Sequence, residues 1–169
     1  MAAFFAVLSL SIVSDRLKAR GPIMAAGCAV AAGGYIMLLA TEKNSVRYAG
    51  TFLAAVGVFP GSALVMGWLS NNLAPHYVRA TGLGVVISLA NCSSFAATFI
   101  YLEKDAPEYV LGHSISLGSL VLCFLAICIQ DLYLHWENRK RERGDRDDRL
   151  SYGNEEDLGN RHPGFKYTL

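Results

Sequence analysis

Charge is almost missing from the first four-fifths of this 169-residue chain. Only 13 of its 29 Asp, Glu, Lys and Arg residues fall within residues 1–135, and the other 16 crowd into residues 136–169. Helices of a soluble domain need a polar face toward water, so that distribution excludes a single water-soluble globule. A long basic block with interleaved aromatics is also lacking, which excludes a nucleic-acid footprint. The four cysteines, Cys28, Cys92, Cys123 and Cys128, lie inside apolar runs and form no CxxC pair, so neither a disulfide framework nor a zinc site is expected. His76, His113 and His135 share no i, i+4 spacing that would hold a metal on one helix. GxSxG, P-loop, HExxH and dinucleotide fingerprints are absent, so the chain is expected to be no enzyme and to need no cofactor.

What is there is apolar length. Gly21 to Thr41, Tyr48 to Val78, Ala80 to Leu102 and Tyr109 to Gln130 each run without Asp, Glu, Lys or Arg. A helix rises about 1.5 Å per residue, so about 20 residues cross a hydrocarbon core about 30 Å thick. Every backbone amide in lipid must be satisfied internally, and these Ala-, Gly- and Leu-rich runs lack the alternation of a barrel strand, which leaves helices. An all-α membrane protein follows. Its spans are expected at about residues 22–41, 48–70, 80–102 and 112–134. Residues 1–13 form a partial span, because Met1 to Ser14 is too short to cross and lacks the basic start of a signal peptide. Residues 1–135 thus make the bundle, and residues 136–169 a charged tail expected to be largely disordered.

Basic residues orient the bundle. Arg16, Lys18 and Arg20 in the first loop, Arg79 in the third, and six from Arg139 to Arg149 after the last span lie on one side; Lys43, Arg47 and Lys104 lie on the other. Ten against three places the first loop and the tail in the cytoplasm, with the plasma membrane as the expected location.

Within the spans, Gly50, Ala54, Gly57 and Gly61 form a small-residue stripe, as do Ala80, Gly84, Ser88 and Cys92. Such stripes let helix backbones approach closely in lipid, and plain packing accounts for them. Pro60 cannot donate to the carbonyl of Val56, so Pro60 and Gly61 mark an expected kink. Asn91 is the strongly polar residue near the middle of the third full span, where either a helix-to-helix hydrogen bond or a ligand would satisfy it. Trp68 and Asn72 close the second full span; an interfacial anchor is the plain reading of Trp68. Asp131, at the end of the last span, is expected to be solvated.

Taken in order, the segments carry a resemblance. Ser14-Asp15-Arg16-Leu17-Lys18-Ala19-Arg20 is similar to the cytoplasmic loop motif of major facilitator transporters, in the form found between helices 8 and 9. Arg47-Tyr48, Trp68-Leu69-Ser70-Asn71-Asn72, Arg79-Ala80, Asn91, Asp105-Ala106-Pro107-Glu108-Tyr109, Gly112-His113 and the ending His162-Pro163-Gly164-Phe165-Lys166-Tyr167 resemble the fungal anion:cation symporter group that includes allantoate and nicotinate permeases. The resemblance implies the C-terminal part of the fold: the end of helix 8, helices 9 to 12, and the tail. Ser11 stands where the loop motif favours Gly, and Lys18 where it often has Gly.

That resemblance implies a secondary transporter for a small organic anion, coupled to a cation such as a proton and rocking around a site between two halves. Asp15, Arg16 and Arg20 would serve the cytoplasmic gate; Asn91, Trp68 and Asn72 would contribute to the cavity or its exit. The partners are the lipid bilayer and the N-terminal half of the transporter. The competing reading is a truncated, non-transporting membrane protein or a subunit that pairs its helices with others.

Overall fold

The computed structural model describes residues 2–17, 19–41, 43–101, 109–152 and 158–169. Five α-helices form among them: α1 (Ala2–Leu17), α2 (Arg20–Ala40), α3 (Asn44–Asn72), α4 (His76–Ile100) and α5 (Val110–Glu142). No strand occurs among the described residues, as the composition of the runs requires. Helices α2 to α5 are each long and apolar enough to cross a membrane. Helix α5, with 33 residues, extends about 50 Å, so it outruns a hydrocarbon core by several turns.

Helix α2 is the hub. It packs along α3 and against α5, while α1 lies mainly on α3. The close α2–α3 contact comes from glycines facing each other. A methyl group at Gly57 would lie 2.5 Å from the carbonyl oxygen of Gly27 and 2.6 Å from the amide nitrogen of Ala31. One at Gly34 would lie 2.6 Å from the nitrogen of Ala54 and 2.7 Å from the oxygen of Gly50. Gly50, Ala54 and Gly57 of the expected stripe therefore do pack, whereas Gly61 has nothing within 4 Å of that position. Pro60 is fully buried inside a continuous α3.

The second stripe behaves differently. Ala80, Gly84, Ser88 and Cys92 are all exposed on α4, which has no buried residue and touches α3 and α5 only lightly. Its outward Phe95 and Phe99, with Leu122 and Ile129 on α5, give an apolar exterior suited to lipid. The small core sits near the opposite end of α3 from its start, where Met24, Leu64, Trp68, Ile127 and Leu134 meet. Tyr167 and Leu169 from the end of the tail pack on it.

That contact corrects the expectation of a largely disordered tail. Helix α5 continues through Glu142, short 3-10 helices follow at Asp147–Tyr152 and Gly159–Arg161, and residues 162–169 return to the bundle. High charge density pointed to solvation, but Phe165, Tyr167 and Leu169 give the last residues an apolar face to bury.

Candidate functional site

The polar groups of the molecule converge at the basic end of the bundle, where α2 starts and α3 ends. Helix α2 ends at Ala40 and α3 begins at Asn44 at the other end, so the start of α2, the end of α3 and the last turns of α5 come together. Asp15 and Arg20, two of the three expected gate residues, form an ion pair at 2.8 Å. Arg16 is exposed and takes no part in it. Asp15 is itself 65% exposed, so solvent screening limits the pair to at most about 1 kcal/mol.

Trp68 and Asn72 are brought together on the end of the tail. The indole N–H of Trp68 donates to the carbonyl oxygen of Thr168 at 2.8 Å, and the Asn72 amide donates to the same oxygen at 3.0 Å. Asn72 in turn accepts from the Thr168 N–H at 2.8 Å. Trp68 is 7% exposed, so burial with a partner in the tail replaces the interfacial role. Asn91 is remote from this cluster in character: it is exposed on α4.

Three residues of α5, Glu137, Asn138 and Arg141, complete the assembly. Asn138 donates to the Tyr167 carbonyl at 2.8 Å and accepts from the Tyr167 N–H at 2.9 Å. Arg141 is buried and donates to the carbonyls of His162, Phe165 and Asn160 and to the Tyr167 hydroxyl, at 2.7 to 3.2 Å. Its guanidinium also lies over the Tyr167 ring, 4.3 Å from the centroid. Glu137, 2% exposed, gathers Arg146 at 2.6 Å, Arg141 at 3.4 Å and Arg149 at 3.6 Å. The i, i+4 spacing of Glu137 and Arg141 was the available signal, together with aromatics ending a charged tail.

Burial pushes the Glu137 carboxyl up, but the Arg146 and Arg141 guanidiniums outweigh it and hold the group below its ordinary 4.5. A depressed folded-state value stabilises the docked tail at every pH above about 4.5 and is lost only as pH falls through that lower value. Protection of the Tyr167 amide from hydrogen exchange, corrected for intrinsic rate, is therefore expected to be equal at pH 7 and pH 5. A loss already at pH 5 would contradict the assignment.

Two further features matter. Asp131, expected in solvent, has its Oδ1 buried without a hydrogen-bond partner among the described residues, because it lies against Gly21 at the start of α2. Toward the other end, Tyr35, Leu38, Thr51, Val58, Phe59 and His113 line a hollow of about 420 Å³ that Tyr101 also borders. There Tyr101 Oη is 3.0 Å from Ser116 Oγ and 3.4 Å from His113 Nδ1. No group of His, Cys, Asp and Glu suited to a metal occurs among the described residues.

An uncharacterized transporter of Schizosaccharomyces pombe is 37% identical over 142 residues, covering 84% of this chain and 28% of the relative. The high-affinity nicotinic acid transporter of Saccharomyces cerevisiae is 31% identical over 160 residues, 93% of this chain and 30% of that protein. An MFS-type transporter of Hormonema carpetanum is 23% identical over 77% of this chain and 27% of its own length. The chain belongs to the major facilitator superfamily. It has the all-α architecture of the C-terminal part of such a transporter and is not an enzyme. It spans less than a third of the length of these relatives. No protein-family model matches it, and no solved structure does.

Proposed function

We propose that the chain forms one wall of a secondary active transporter for a small organic anion or carboxylate, symported with a cation such as a proton by alternating access. The observation that carries this reading is the 31% identity to a high-affinity nicotinic acid transporter across 93% of the chain. The rest of such a transporter would supply the facing wall, since sites of this type lie between repeated halves near the midplane. The ten-to-three bias of basic residues supports a cytoplasmic basic end, and uptake of such an anion from outside the cell would place the transporter in the plasma membrane. The hollow bordered by Tyr35, Tyr101 and His113, apolar with a few polar groups, is the place in this chain for a ring-bearing acid.

In this reading Asp15 and Arg20 belong to the cytoplasmic gate, and Pro60, which leaves the Val56 carbonyl without its helical donor, gives α3 a point at which to flex beside Gly61. Asp15→Asn in a full-length form keeps the shape and removes the charge. Exposed charges near helix ends contribute about 0.3 to 1 kcal/mol, which shifts a two-state equilibrium by up to about fivefold. Labelled nicotinate uptake is expected to fall severalfold at equal surface expression, while Asp147→Asn in the tail leaves it unchanged. Parent-level uptake in both would remove Asp15 from the gate.

A further inference from the structure

Tyr167 turns both of its main-chain groups to Asn138 on α5, and Thr168 turns both of its own to Asn72 on α3. In an extended chain the N–H and C=O of one residue point the same way, and those of the next point the opposite way. The alternation seen here is that of a strand lying between two neighbours. Its neighbours are carboxamides, each able to give a donor and an acceptor at once. They stand on helices that both pack along α2 but make little contact with each other.

We propose that the space between α3 and α5 at the basic end is a peptide-binding site, and that residues 162–169 are its releasable intramolecular ligand, holding the two helix ends at a fixed spacing. The ligand class is an extended peptide carrying an aromatic residue two positions before an aliphatic one. Asn72 and Asn138 read only the main chain. Arg141 reads the aromatic residue, through the Tyr167 hydroxyl at 3.0 Å and its ring face. Tyr167 and Leu169 fill the apolar floor made by Met24, Leu64, Trp68, Ile127 and Leu134. The Leu169 carbonyl also accepts from the N–H of Arg20, the first residue of α2, so the segment touches all three helices.

Release follows from how the segment is held. Its contacts are non-covalent, and Lys166, whose side chain is 75% exposed, pairs among the described residues with the exposed Glu142 at 2.9 Å, a contact of small weight. The tether to α5 keeps the ligand at high local concentration, which favours occupancy while leaving exchange possible. Because α3 and α5 make little contact with each other and the peptide bonds to both at that end, its departure would remove a tie that holds them at their present spacing. The inference goes beyond the transport reading and stands or falls separately from it.

Limited trypsin digestion of the full chain in detergent micelles tests it. The Lys166–Tyr167 bond cannot enter a protease while both main-chain groups of Tyr167 are held by Asn138. Cleavage there tracks the released population. It is expected to be at least about tenfold slower than in the free octapeptide of residues 162–169. The isosteric N72D/N138D variant keeps the acceptors and loses the donors. It should raise cleavage to within about threefold of the free octapeptide with helix content unchanged by circular dichroism. T168P alters the ligand alone, removing the N–H that Asn72 accepts, and should act in the same direction relative to an octapeptide of its own sequence. Parent cleavage as fast as the octapeptide would overturn the proposal. So would parent-level protection in both variants, since that would assign the shielding to the micelle.

Discussion

Replacing Gly57 by alanine is expected to cost the bundle about 3 kcal/mol, although alanine is the better helix former by about 1 kcal/mol. The added methyl would lie 2.5 Å from the Gly27 carbonyl oxygen and 2.6 Å from the Ala31 nitrogen. Both are main-chain atoms in the middle of α2, so relief requires the two helices to separate along their closest contact. Gly61→Ala provides the comparison on the same helix. Nothing lies within 4 Å of its added methyl, so it should be neutral or slightly stabilising. Denaturant unfolding in micelles, followed by helix content, measures both, and equal midpoints would show that the α2–α3 contact does not hold the bundle.

Arg141→Leu is expected to release the tail altogether. The substitution removes donors from three carbonyls and one hydroxyl, and strips one of the guanidiniums from Glu137. Removing one partner of a buried ion pair costs about 3 to 5 kcal/mol where the structure cannot respond. Here it can respond, because residues 158–169 can leave and let water reach Glu137, so the cost is capped by the free energy of docking. Hydrogen exchange at the Tyr167 and Thr168 amides should accelerate by about a hundredfold or more, which corresponds to a docking free energy of about 2.7 kcal/mol or more. Arg143→Leu, at an exposed position two residues away, should leave those amides protected. Unchanged exchange in the Arg141 variant would mean that the core contacts of Tyr167 and Leu169 suffice.

The helices were legible because lipid imposes a simple demand. Uncharged runs of more than 20 residues admit only helices, and small-residue spacing marked Gly50, Ala54 and Gly57 as a packing face without naming its partner. The face proved to meet Gly27, Ala31 and Gly34, whose own spacing had drawn no attention in an Ala- and Gly-rich span. The identical reasoning overvalued Ala80, Gly84, Ser88 and Cys92, which face outward. Periodicity reports that a face is small, not that a neighbour is present.

The basic end was less legible because its contacts join distant positions. Asn72 and Thr168 are 96 residues apart, and Asn138 and Tyr167 are 29 apart. Composition ranks a segment with so many charges as solvated, yet buried Arg141 together with Asn72, Asn138 and Trp68 pairs the main chain of the returning segment. Trp68 and Asn72 were recognisable as unusual polar groups at a span end, but the partner that satisfies them lies in the tail. Asp15 pairs with Arg20 rather than with the adjacent Arg16 because the helix breaks between Leu17 and Arg20, folding the later arginine back over the aspartate.

The most direct test of the central claim, that this chain is one wall of an anion transporter, is uptake of labelled nicotinate into sealed vesicles under an inward proton gradient. The chain alone is expected to give no uptake above empty vesicles, because it spans less than a third of its relatives and a site of this type lies between two halves. Joined to the preceding helices of the Saccharomyces cerevisiae nicotinic acid transporter, it is expected to give concentrative uptake that a protonophore abolishes. Concentrative uptake by the chain alone, or none by a correctly inserted and folded chimaera, would contradict it.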